Sequence, residues 1–231
     1  MNYVFSAPEQ PTVSVAGHNA RIPVRRIFCV GRNYAEHARE MGKDPDRDPP
    51  FFFTKPADAV VETGETVAYP PETENFHYEA ELVVVIGEAG KNISEDDSLS
   101  HVWGYAVGND LTRRDLQLDA REKGRPWDWG KAFDRSAVIG PVHPVSKVGH
   151  PASGTIQLTV NGDIKQSADL AGLIWSVPEI ISILSHSMEL RPGDLIMTGT
   201  PAGVGPLVPG DICIVSIEGL SHIETPIGPR E

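Results

Sequence analysis

The sequence predicts an α+β fold that is rich in β-strands and carries a few short helices. The 231 residues include 22 Gly and 20 Pro, together 22 + 20 = 42, which indicates many turns rather than a bundle of long helices. The apolar residues fall in several short runs bounded by turn-forming residues, as in a chain of short strands. Regular alternation of strands and helices is missing, so neither a Rossmann fold nor a TIM barrel is expected.

The first half of the chain contains most of the predicted strands. Runs rich in Val, Ile and Phe that stop at Gly, Asn or Thr are typical of short buried strands. They predict strands at residues 26–30, 51–54, 78–86 and 102–109. A short helix is predicted at 34–41, and the polar, Pro-rich stretch 43–50 is predicted to be a loop of the kind that can cover a site.

The second half combines a hairpin, two helices and two closing strands. Asn161 and Gly162 separate two short runs and predict a type I′ hairpin over residues 155–166. Helices are predicted at 113–123 and 176–190, and the closing strands at 194–198 and 211–217. The first helix is supported by the capping-box spacing of Thr112 and Asp115 and by Gly124 as a C-terminal cap. The second is supported by the capping-box spacing of Ser176 and Glu179 and by Pro178 in its first turn.

The charge balance argues against several classes of partner. The chain has 20 Lys and Arg against 32 Asp and Glu, a formal net charge of −12. Nucleic-acid binding needs a basic face, and so does binding to an anionic membrane surface, so neither partner is expected. The longest apolar run, residues 82–86, is too short to cross a bilayer.

Cysteine usage and the N-terminus predict a cytoplasmic location. The two cysteines, Cys29 and Cys213, lie in apolar runs and are expected to be buried thiols rather than a disulfide or a metal site. The first residues lack the basic segment and the long apolar segment of a signal peptide.

The first candidate for chemistry is the pair Glu79 and Glu81 at the start of a predicted strand. Side chains alternate along a strand, so His77, Glu79 and Glu81 share one face. Two carboxylates that enter an apolar run repel each other and are costly to bury, and a divalent cation is the simplest compensation. The alternative is that both glutamates lie in water at the exposed end of the strand.

Asp110 is the second candidate, because it ends the predicted strand at 102–109. A role in a turn or a helix cap is the alternative. With Glu79 and Glu81 it completes a set of three carboxylates, and such an all-oxygen set suits Mg²⁺, Mn²⁺ or Ca²⁺. Participation of His77 would favour a softer metal.

The third candidate is the pair His37 and Glu40 on the predicted helix at 34–41. Residues three apart are neighbours on one helix face, and a carboxylate beside an imidazole can orient it as a general base. An exposed His–Glu pair on a polar helix is the alternative.

Two weaker candidates follow in the second half. Lys131 lies among aromatic residues and is either a surface lysine or a buried cation that faces an anion. The Gly-rich stretch 198–205, which includes Thr200, could offer backbone N–H groups and a hydroxyl to a carboxylate. It lacks the Gly-Lys-Ser/Thr of a Walker A loop, and a plain turn is the alternative.

Five segments carry these residues, and they follow one another in chain order from Gly31 to Gly205. They are GRNYAEHAREM (31–41), HYEAELVVVIG (77–87), GNDLTRRDLQ (108–117), PWDWGKAFD (126–134) and TGTPAGVG (198–205). In this combination the chain resembles the fumarylacetoacetate hydrolase family, in its short single-domain branch of acylpyruvate and fumarylpyruvate hydrolases. The resemblance implies a mixed β-sandwich roll, with an N-terminal lead-in over residues 1–22 and one catalytic domain over 23–231.

The resemblance also implies the roles of individual residues. It places Mg²⁺ or Mn²⁺ on Glu79, Glu81 and Asp110, and it makes His37 and Glu40 the dyad that activates water. Lys131 and Gln117 would contact the substrate and its developing oxyanion, Thr200 would meet the substrate carboxylate, and Arg32 would be a further anion contact. Arg114 and Asp115 would hold the helix after Asp110 in place. A homodimer is implied as well.

The implied activity is the metal-dependent hydrolysis of the C–C bond of a 3-acylpyruvate, a small anionic diketo acid. The narrower expectation is the hydrolysis of fumarylpyruvate to fumarate and pyruvate in the catabolism of aromatic compounds. One alternative is an oxaloacetate decarboxylase or tautomerase that uses the same metal site without activated water. An alternative of another class is a non-catalytic β domain in which the three carboxylates hold a structural ion.

Overall fold

The computed structural model of the protein describes residues 2–36 and 48–231 and confirms the β-rich α+β class. Its strands are β1 (Thr12–Val15), β2 (His18–Pro23), β3 (Arg26–Gly31), β4 (Phe51–Lys55), β5 (Val60–Glu62), β6 (Val67–Tyr69), β7 (Phe76–Tyr78), β8 (Ala80–Ile86), β9 (Val102–Asp110), β10 (Thr112–Arg113), β11 (Ala137–Ile139), β12 (His143–Pro144), β13 (Thr155–Val160), β14 (Asp163–Asp169), β15 (Asp194–Met197), β16 (Gly205–Pro206), β17 (Ile212–Ile217) and β18 (Ile223–Arg230).

Helices are few and short in this part of the chain. The α-helices are Glu95–Ser98, Arg114–Glu122, Asp128–Lys131, Val145–Val148 and Val177–Ser187, and the 3₁₀-helices are Ala57–Ala59, Leu99–His101 and Leu170–Gly172. Among the described residues, no helix has the length and apolar character needed to cross a membrane.

Two mixed sheets form the body of the fold. The larger sheet has the order β4-β3-β15-β8-β9-β11-β5, with β12 beside β9, and it is curled. The smaller sheet has the order β14-β13-β17-β18-β6. The pairs β3–β15, β5–β11 and β6–β18 are parallel, and the other pairs in these two sheets are antiparallel.

Strand β8 lies at the centre of the larger sheet and is buried on both faces. Leu82 and Val84 belong to the core shared with Leu158 and Val215 of the smaller sheet. Val83 and Val85, which alternate with them along the strand, face a second core on the other side of the sheet. Burial on both faces explains why this strand is a continuous apolar run rather than an alternating one.

The N-terminal hairpin packs against this second core. Strands β1 and β2 form a two-stranded antiparallel sheet, and Val13 of β1 is buried among residues of the second core. The backbone N–H of Ala16 also bonds the carbonyl of Val142 at 2.9 Å. The lead-in is therefore a packed strand pair, and the domain boundary at residue 23 stays a prediction.

Several local predictions are confirmed by the backbone geometry. Asn161 and Gly162 have positive φ values of 52° and 88°, which is what a type I′ turn requires. The backbone N–H of Ser176 donates to the Glu179 carboxylate at 2.9 Å, so the capping box of the last helix forms. Gly124 has φ +62° just after the helix Arg114–Glu122, as a C-terminal cap does. The two cysteines, Cys29 and Cys213, are free and buried.

Three local predictions are wrong in detail. The helix predicted at 176–190 ends at Ser187. Thr112 and Asp115 do not form a capping box, because the Thr112 hydroxyl donates to the Asp110 carbonyl and Asp115 accepts from the loop at Thr73. The strand predicted at 78–86 is interrupted at Glu79, since β7 and β8 join different sheets.

Candidate active site

Three buried carboxylates converge where strands β8 and β9 meet. Glu79 and Glu81 are 4% and 2% exposed, and Asp110 is fully buried. One oxygen from each side chain lies within 4.8 Å of one oxygen from each of the others. Burial excludes the alternative that both glutamates lie in water at the end of a strand.

Strand register explains this convergence. Ala80 pairs with Asn109 in the antiparallel β8–β9 ladder, so Glu79 stands opposite Asp110. The backbone N–H of Asp110 accordingly donates to the Glu79 carbonyl at 2.9 Å. Glu81 lies two residues further along β8 and therefore shares their face of the sheet. The interruption at Glu79 thus leaves all three side chains on one face.

Three buried cations surround the triad. The Lys131 ammonium lies 2.8 Å from Glu79 and 2.7 Å from Asp110, and the Lys55 ammonium lies 2.8 Å from the other Asp110 oxygen. The Arg114 guanidinium bonds the Glu79 carboxylate. Three positive charges therefore face three negative ones, which is the arrangement that makes buried ions tolerable.

The pKa values of the two lysines follow from this arrangement. Burial lowers the pKa of Lys131, but the charges of Asp110 and Glu79 outweigh it, and the pKa lies above its ordinary value. Burial lowers the pKa of Lys55 below its ordinary value against the opposing effect of Asp110.

Glu81 has the weakest compensation of the three acids. Its carboxylate accepts the backbone N–H of Gly199 at 2.7 Å. Burial, followed by the charges of Asp110 and Glu79, raises the pKa of Glu81 well above its usual range. The third carboxylate of the triad is thus the one that would gain most from a nearby cation.

The Gly199 turn that holds Glu81 depends on a residue without a side chain. Gly199 has φ +99°, and a Cβ at this position would lie 2.7 Å from Cβ of Asn33. Any other residue would be strained and would push against the buried Asn33. The Gly after strand β15 is therefore part of the site's construction rather than a plain turn residue.

The described residues predicted for the site lie around one cavity. Its wall includes two triad members and the predicted substrate contacts, namely Glu79, Glu81, Arg32, Gln117, Lys131 and Thr200. Asp110 joins them through Lys131. Gln117 is buried and accepts a hydrogen bond from Arg114, so it is already oriented by the site.

Thr200 is held by a residue that sequence reasoning missed. The Gln166 side chain donates to the Thr200 hydroxyl at 2.8 Å and to the Pro201 carbonyl at 2.7 Å, while its oxygen accepts the N–H of Ala80 at 3.0 Å. Gln166 therefore links the loop after β15 to the start of β8. A buried polar residue in a hairpin strand gives little signal in the sequence.

The sequence also did not predict the contacts that Lys55 and Arg114 make in the site. Lys55 ends strand β4 and is fully buried, and a lysine after an apolar run is the only trace that it leaves in the sequence. Arg114 was predicted to hold the helix after Asp110, but its guanidinium lies in the site itself, where it contacts Glu79 and Gln117. Asp115 instead bonds the hydroxyl of Thr73.

His77 does not join the carboxylates. Its Nε2 lies 2.7 Å from the Asn75 side-chain oxygen, and its Nδ1 accepts from Arg114 at 3.4 Å. Burial, followed by the charge of Arg114, lowers the pKa of His77 to about 4. Both ring nitrogens have protein partners, so the donor set is made of oxygen atoms.

The predicted dyad of His37 and Glu40 lies outside the described residues, as does most of the predicted helix at 34–41 and of the loop at 43–50. Its role stays a prediction.

The donor set fits a hard divalent cation. Three carboxylate oxygens within 4.8 Å of one another can share one ion, and oxygen ligands are those that Mg²⁺, Mn²⁺ and Ca²⁺ prefer. Burial, followed by the charges of Asp110 and Glu79, raises the pKa of Glu81, and a bound cation would oppose this effect. The residues present could therefore hold a divalent metal.

Several known proteins are similar to this chain in sequence and in fold. The model of the fumarylacetoacetate (FAA) hydrolase C-terminal family matches residues 26–228. A fumarylpyruvate hydrolase of a Ralstonia species is 50% identical over 193 residues, which cover 83% of this chain and 100% of the relative. The crystal structure of fumarylpyruvate hydrolase from Pseudomonas aeruginosa in complex with Mn²⁺ and pyruvate is 54% identical, with a TM-score of 0.96 over 99% of this chain and 100% of that chain.

A more distant relative carries a different activity in its name. A mitochondrial oxaloacetate tautomerase of Bos taurus is 40% identical over 196 residues, which cover 85% of this chain and 88% of the relative. All three relatives match across most of their own length. On its family match and on these identities, the chain belongs to the fumarylacetoacetate hydrolase family.

Proposed function

We propose that the protein is a metal-dependent hydrolase of 3-acylpyruvates and that its substrate is fumarylpyruvate, which it splits into fumarate and pyruvate. The observation that carries this proposal is the buried triad of Glu79, Glu81 and Asp110 in a cavity of a chain 50% identical to a fumarylpyruvate hydrolase. The relative of known structure with Mn²⁺ and pyruvate supports it, since pyruvate is one of the two expected products.

Glu79, Glu81 and Asp110 are the proposed ligands of Mg²⁺ or Mn²⁺. When bound, the divalent cation would polarise the 2-oxo oxygen of the substrate and offset the charge that develops there. Lys55 keeps one oxygen of Asp110 engaged and thereby fixes the orientation of this carboxylate. Arg114 does the same for Glu79. The chain thus presents the three acids already aligned.

Water and the acyl carbonyl react at the other end of the scissile bond. His37, oriented by Glu40, is the proposed base that takes a proton from water, whose oxygen then bonds the acyl carbon. The bond from that carbon to the methylene group breaks, and its electron pair leaves with the pyruvate part, which regains a proton on carbon. Lys131, which already lies between two carboxylates, is the proposed donor to the oxygen that becomes negative.

Two neutral groups complete the proposed substrate contacts. Gln117 and Thr200 line the cavity and can donate hydrogen bonds to the carboxylate and keto oxygens of the substrate. Both are buried, and both already have a protein partner that orients them. Positioned donors of this kind reduce the ordering that binding would otherwise require.

A panel of acylpyruvates tests the proposal directly. The loss of diketone absorbance is followed for fumarylpyruvate and acetylpyruvate, first after treatment with EDTA and then after addition of Mg²⁺ or Mn²⁺. We expect turnover only with metal, with fumarate and pyruvate formed in equal amounts from fumarylpyruvate. No turnover of either compound in the presence of metal would refute the hydrolase proposal. The same result with metal-dependent melting would favour the non-catalytic β domain that holds a structural ion.

A second activity, oxaloacetate tautomerisation, is favoured by the 40% identical tautomerase. It could use the same metal and the same enolate chemistry without activated water. The substitution His37→Ala separates the two activities. We expect it to abolish diketone hydrolysis and to spare oxaloacetate turnover. If it changes neither, His37 is not the base.

We propose further that the protein is a homodimer in the cytoplasm. The family resemblance supports the first part, and the two free, buried cysteines, which suit a reducing compartment, support the second. Light scattering on the purified protein tests the dimer, with a mass near 25.1 kDa as the contradicting result.

A further inference from the structure

Arg32 lines the same cavity as Glu79 and Glu81 of the carboxylate triad, but the charge of Arg32 is balanced differently. Its Nε is buried and has no hydrogen-bond partner among the described residues. A buried donor of this kind costs free energy unless an acceptor reaches it. Burial and then the charge of Arg121 lower the pKa of Arg32, against a smaller opposing effect of Asp48. A bound anion would give the Nε group an acceptor and would stabilise the charged form of Arg32.

Two aromatic rings hold the Arg32 guanidinium in place. Its central carbon lies 5.3 Å from the centroid of Phe51 and 5.9 Å from that of Trp127. The two rings are themselves in edge-to-face contact, with centroids 5.0 Å apart. A cation–π contact does not use the N–H donors of a guanidinium in hydrogen bonds to oxygen, so they stay available to an acceptor.

The backbone around Arg32 is built to keep this position. Arg32 has φ +59°, a left-handed conformation that is uncommon for a residue with a side chain. At Gly31 a Cβ would lie 2.0 Å from the Phe51 ring, so the absence of a side chain makes room for the ring that contacts Arg32. Asn33 is fully buried and locked by bonds to the backbone of Trp175 and Thr198. The segment is thus rigid on both sides of Arg32.

Arg113 shows that an unpartnered Nε alone does not make a site. Its Nε is also buried without a partner among the described residues, and its guanidinium lies 4.4 Å from the centroid of Phe133. Arg113, however, is absent from the wall of the cavity that holds the triad, whereas Arg32 is part of it. The position beside the substrate cavity is what distinguishes Arg32.

We propose that Arg32 binds the distal carboxylate of the substrate and makes the enzyme selective for acylpyruvates whose acyl group ends in a carboxylate. This inference rests on the proposed function. The cavity shares Phe53, Trp127 and Lys131 with a neighbouring cavity of about 350 Å³, a volume within the size range of small-molecule sites. Arg32 lies in the same wall as Glu79 and Glu81, so one molecule can meet the triad with its 2-oxo acid and Arg32 with its far end. A guanidinium binds a carboxylate through two parallel N–H bonds, which gives geometric selectivity as well as affinity.

The test compares two substrates that differ only at that far end. One is fumarylpyruvate, and the other is crotonylpyruvate, in which a methyl group replaces the distal carboxyl group. We expect Arg32→Gln to lower kcat/KM for fumarylpyruvate about 100-fold and for crotonylpyruvate less than about 3-fold. Arg113→Gln is the matched control, because it removes an arginine stacked on a ring outside the cavity. We expect it to leave the ratio of the two kcat/KM values within about 3-fold of the wild type.

The ratio of kcat/KM for fumarylpyruvate to kcat/KM for crotonylpyruvate distinguishes the possible results. Equal losses on both substrates, or no loss on fumarylpyruvate, would overturn the role of Arg32 while the proposed hydrolase activity stands. If the wild-type protein hydrolyses neither substrate, the proposed function fails and this inference fails with it. Should Arg32→Gln not fold, Arg32→Lys answers the same question. We expect it to lose about 10-fold on fumarylpyruvate alone, because it keeps the charge but not the paired N–H geometry.

Discussion

Arg32 and two acids of the carboxylate triad line one cavity, yet the charges of the two regions are balanced in opposite ways. Each acid of the triad bonds a buried cation or a backbone N–H, through Lys55, Lys131, Arg114 and Gly199. Arg32 instead rests on two aromatic rings with its Nε unpartnered among the described residues. In the first region each acid has a partner within the protein, whereas the second contains a buried donor without one among the described residues.

This difference separates two tasks within the site. A region whose charges are already paired and buried keeps its geometry, which suits the step in which charge develops on the substrate. A region with an unsatisfied donor gains most when the correct ligand arrives and least when a ligand lacks the matching acceptor. We therefore assign the chemistry to the triad and its cations, and substrate choice to Arg32.

The largest effect is expected from Glu81→Gln, which removes one charge from the triad. The amide oxygen can still accept the N–H of Gly199, so the fold should persist. Loss of a ligand oxygen's charge should lower kcat/KM on the order of 1000-fold, equivalent to about 4 kcal/mol. Calorimetric titration with Mn²⁺ should show weaker binding. Wild-type metal affinity in this variant would exclude Glu81 as a ligand.

The next effect concerns stability rather than catalysis. Lys55→Met leaves one oxygen of the buried Asp110 without its cation, and breaking a buried pair costs about 3–5 kcal/mol. Chemical denaturation measures this loss. Lys165→Met is the matched control, because the pair of Lys165 with Asp163 is exposed and should contribute about 0–1 kcal/mol. Similar losses in both variants would contradict the view that the triad region is pre-assembled by buried pairing.

Gly199→Ala should lower both the stability of the protein and its affinity for the metal, by intermediate amounts. The added Cβ meets the Asn33 side chain at 2.7 Å and displaces the N–H that holds Glu81. Gly210→Ala is the control, since Gly210 has a similar φ of +94° with nothing within 4 Å of a Cβ. Both should lose about 1 kcal/mol from backbone strain. Only Gly199→Ala should also lose affinity for Mn²⁺, by about 10-fold. Unchanged affinity for Mn²⁺ would show that the Gly199 turn does not contribute to metal binding.

The smallest effect is expected from Thr200→Val, which removes a hydroxyl with little change in volume. Gln166 keeps its bond to the Pro201 carbonyl, so stability should change by less than about 1 kcal/mol. If Thr200 meets the substrate, KM for fumarylpyruvate should rise about 10-fold with a smaller change in kcat. Steady-state kinetics decide this, and an unchanged KM would remove Thr200 from the substrate contacts.

The sequence predicted the triad because three carboxylates at strand ends leave a clear pattern. Glu79 and Glu81 precede an apolar run, and Asp110 ends another, so period-two alternation and one strand pairing bring them together. The same reasoning supports the capping box at Ser176 and the turn at Asn161, because each depends on residues close in sequence.

The parts that the sequence did not predict depend on contacts between distant segments. Lys55 bonds Asp110 across 55 positions of the chain (110 − 55), and Gln166 reaches back to Ala80 across 86. Nothing local distinguishes these residues from an ordinary lysine or glutamine in a strand. The Thr112–Asp115 capping box failed for the same reason, since Asp115 finds stronger partners in the loop at Thr73.

The central claim is that the triad-centred cavity hydrolyses fumarylpyruvate with the help of a divalent cation. The most direct test is turnover in ¹⁸O-labelled water by EDTA-treated protein, before and after addition of Mn²⁺, with both products analysed by mass spectrometry. We predict that one ¹⁸O enters the carboxylate of fumarate, with an equal amount of pyruvate, and only when Mn²⁺ is present. Unlabelled fumarate, or the same rate without metal, would contradict this account.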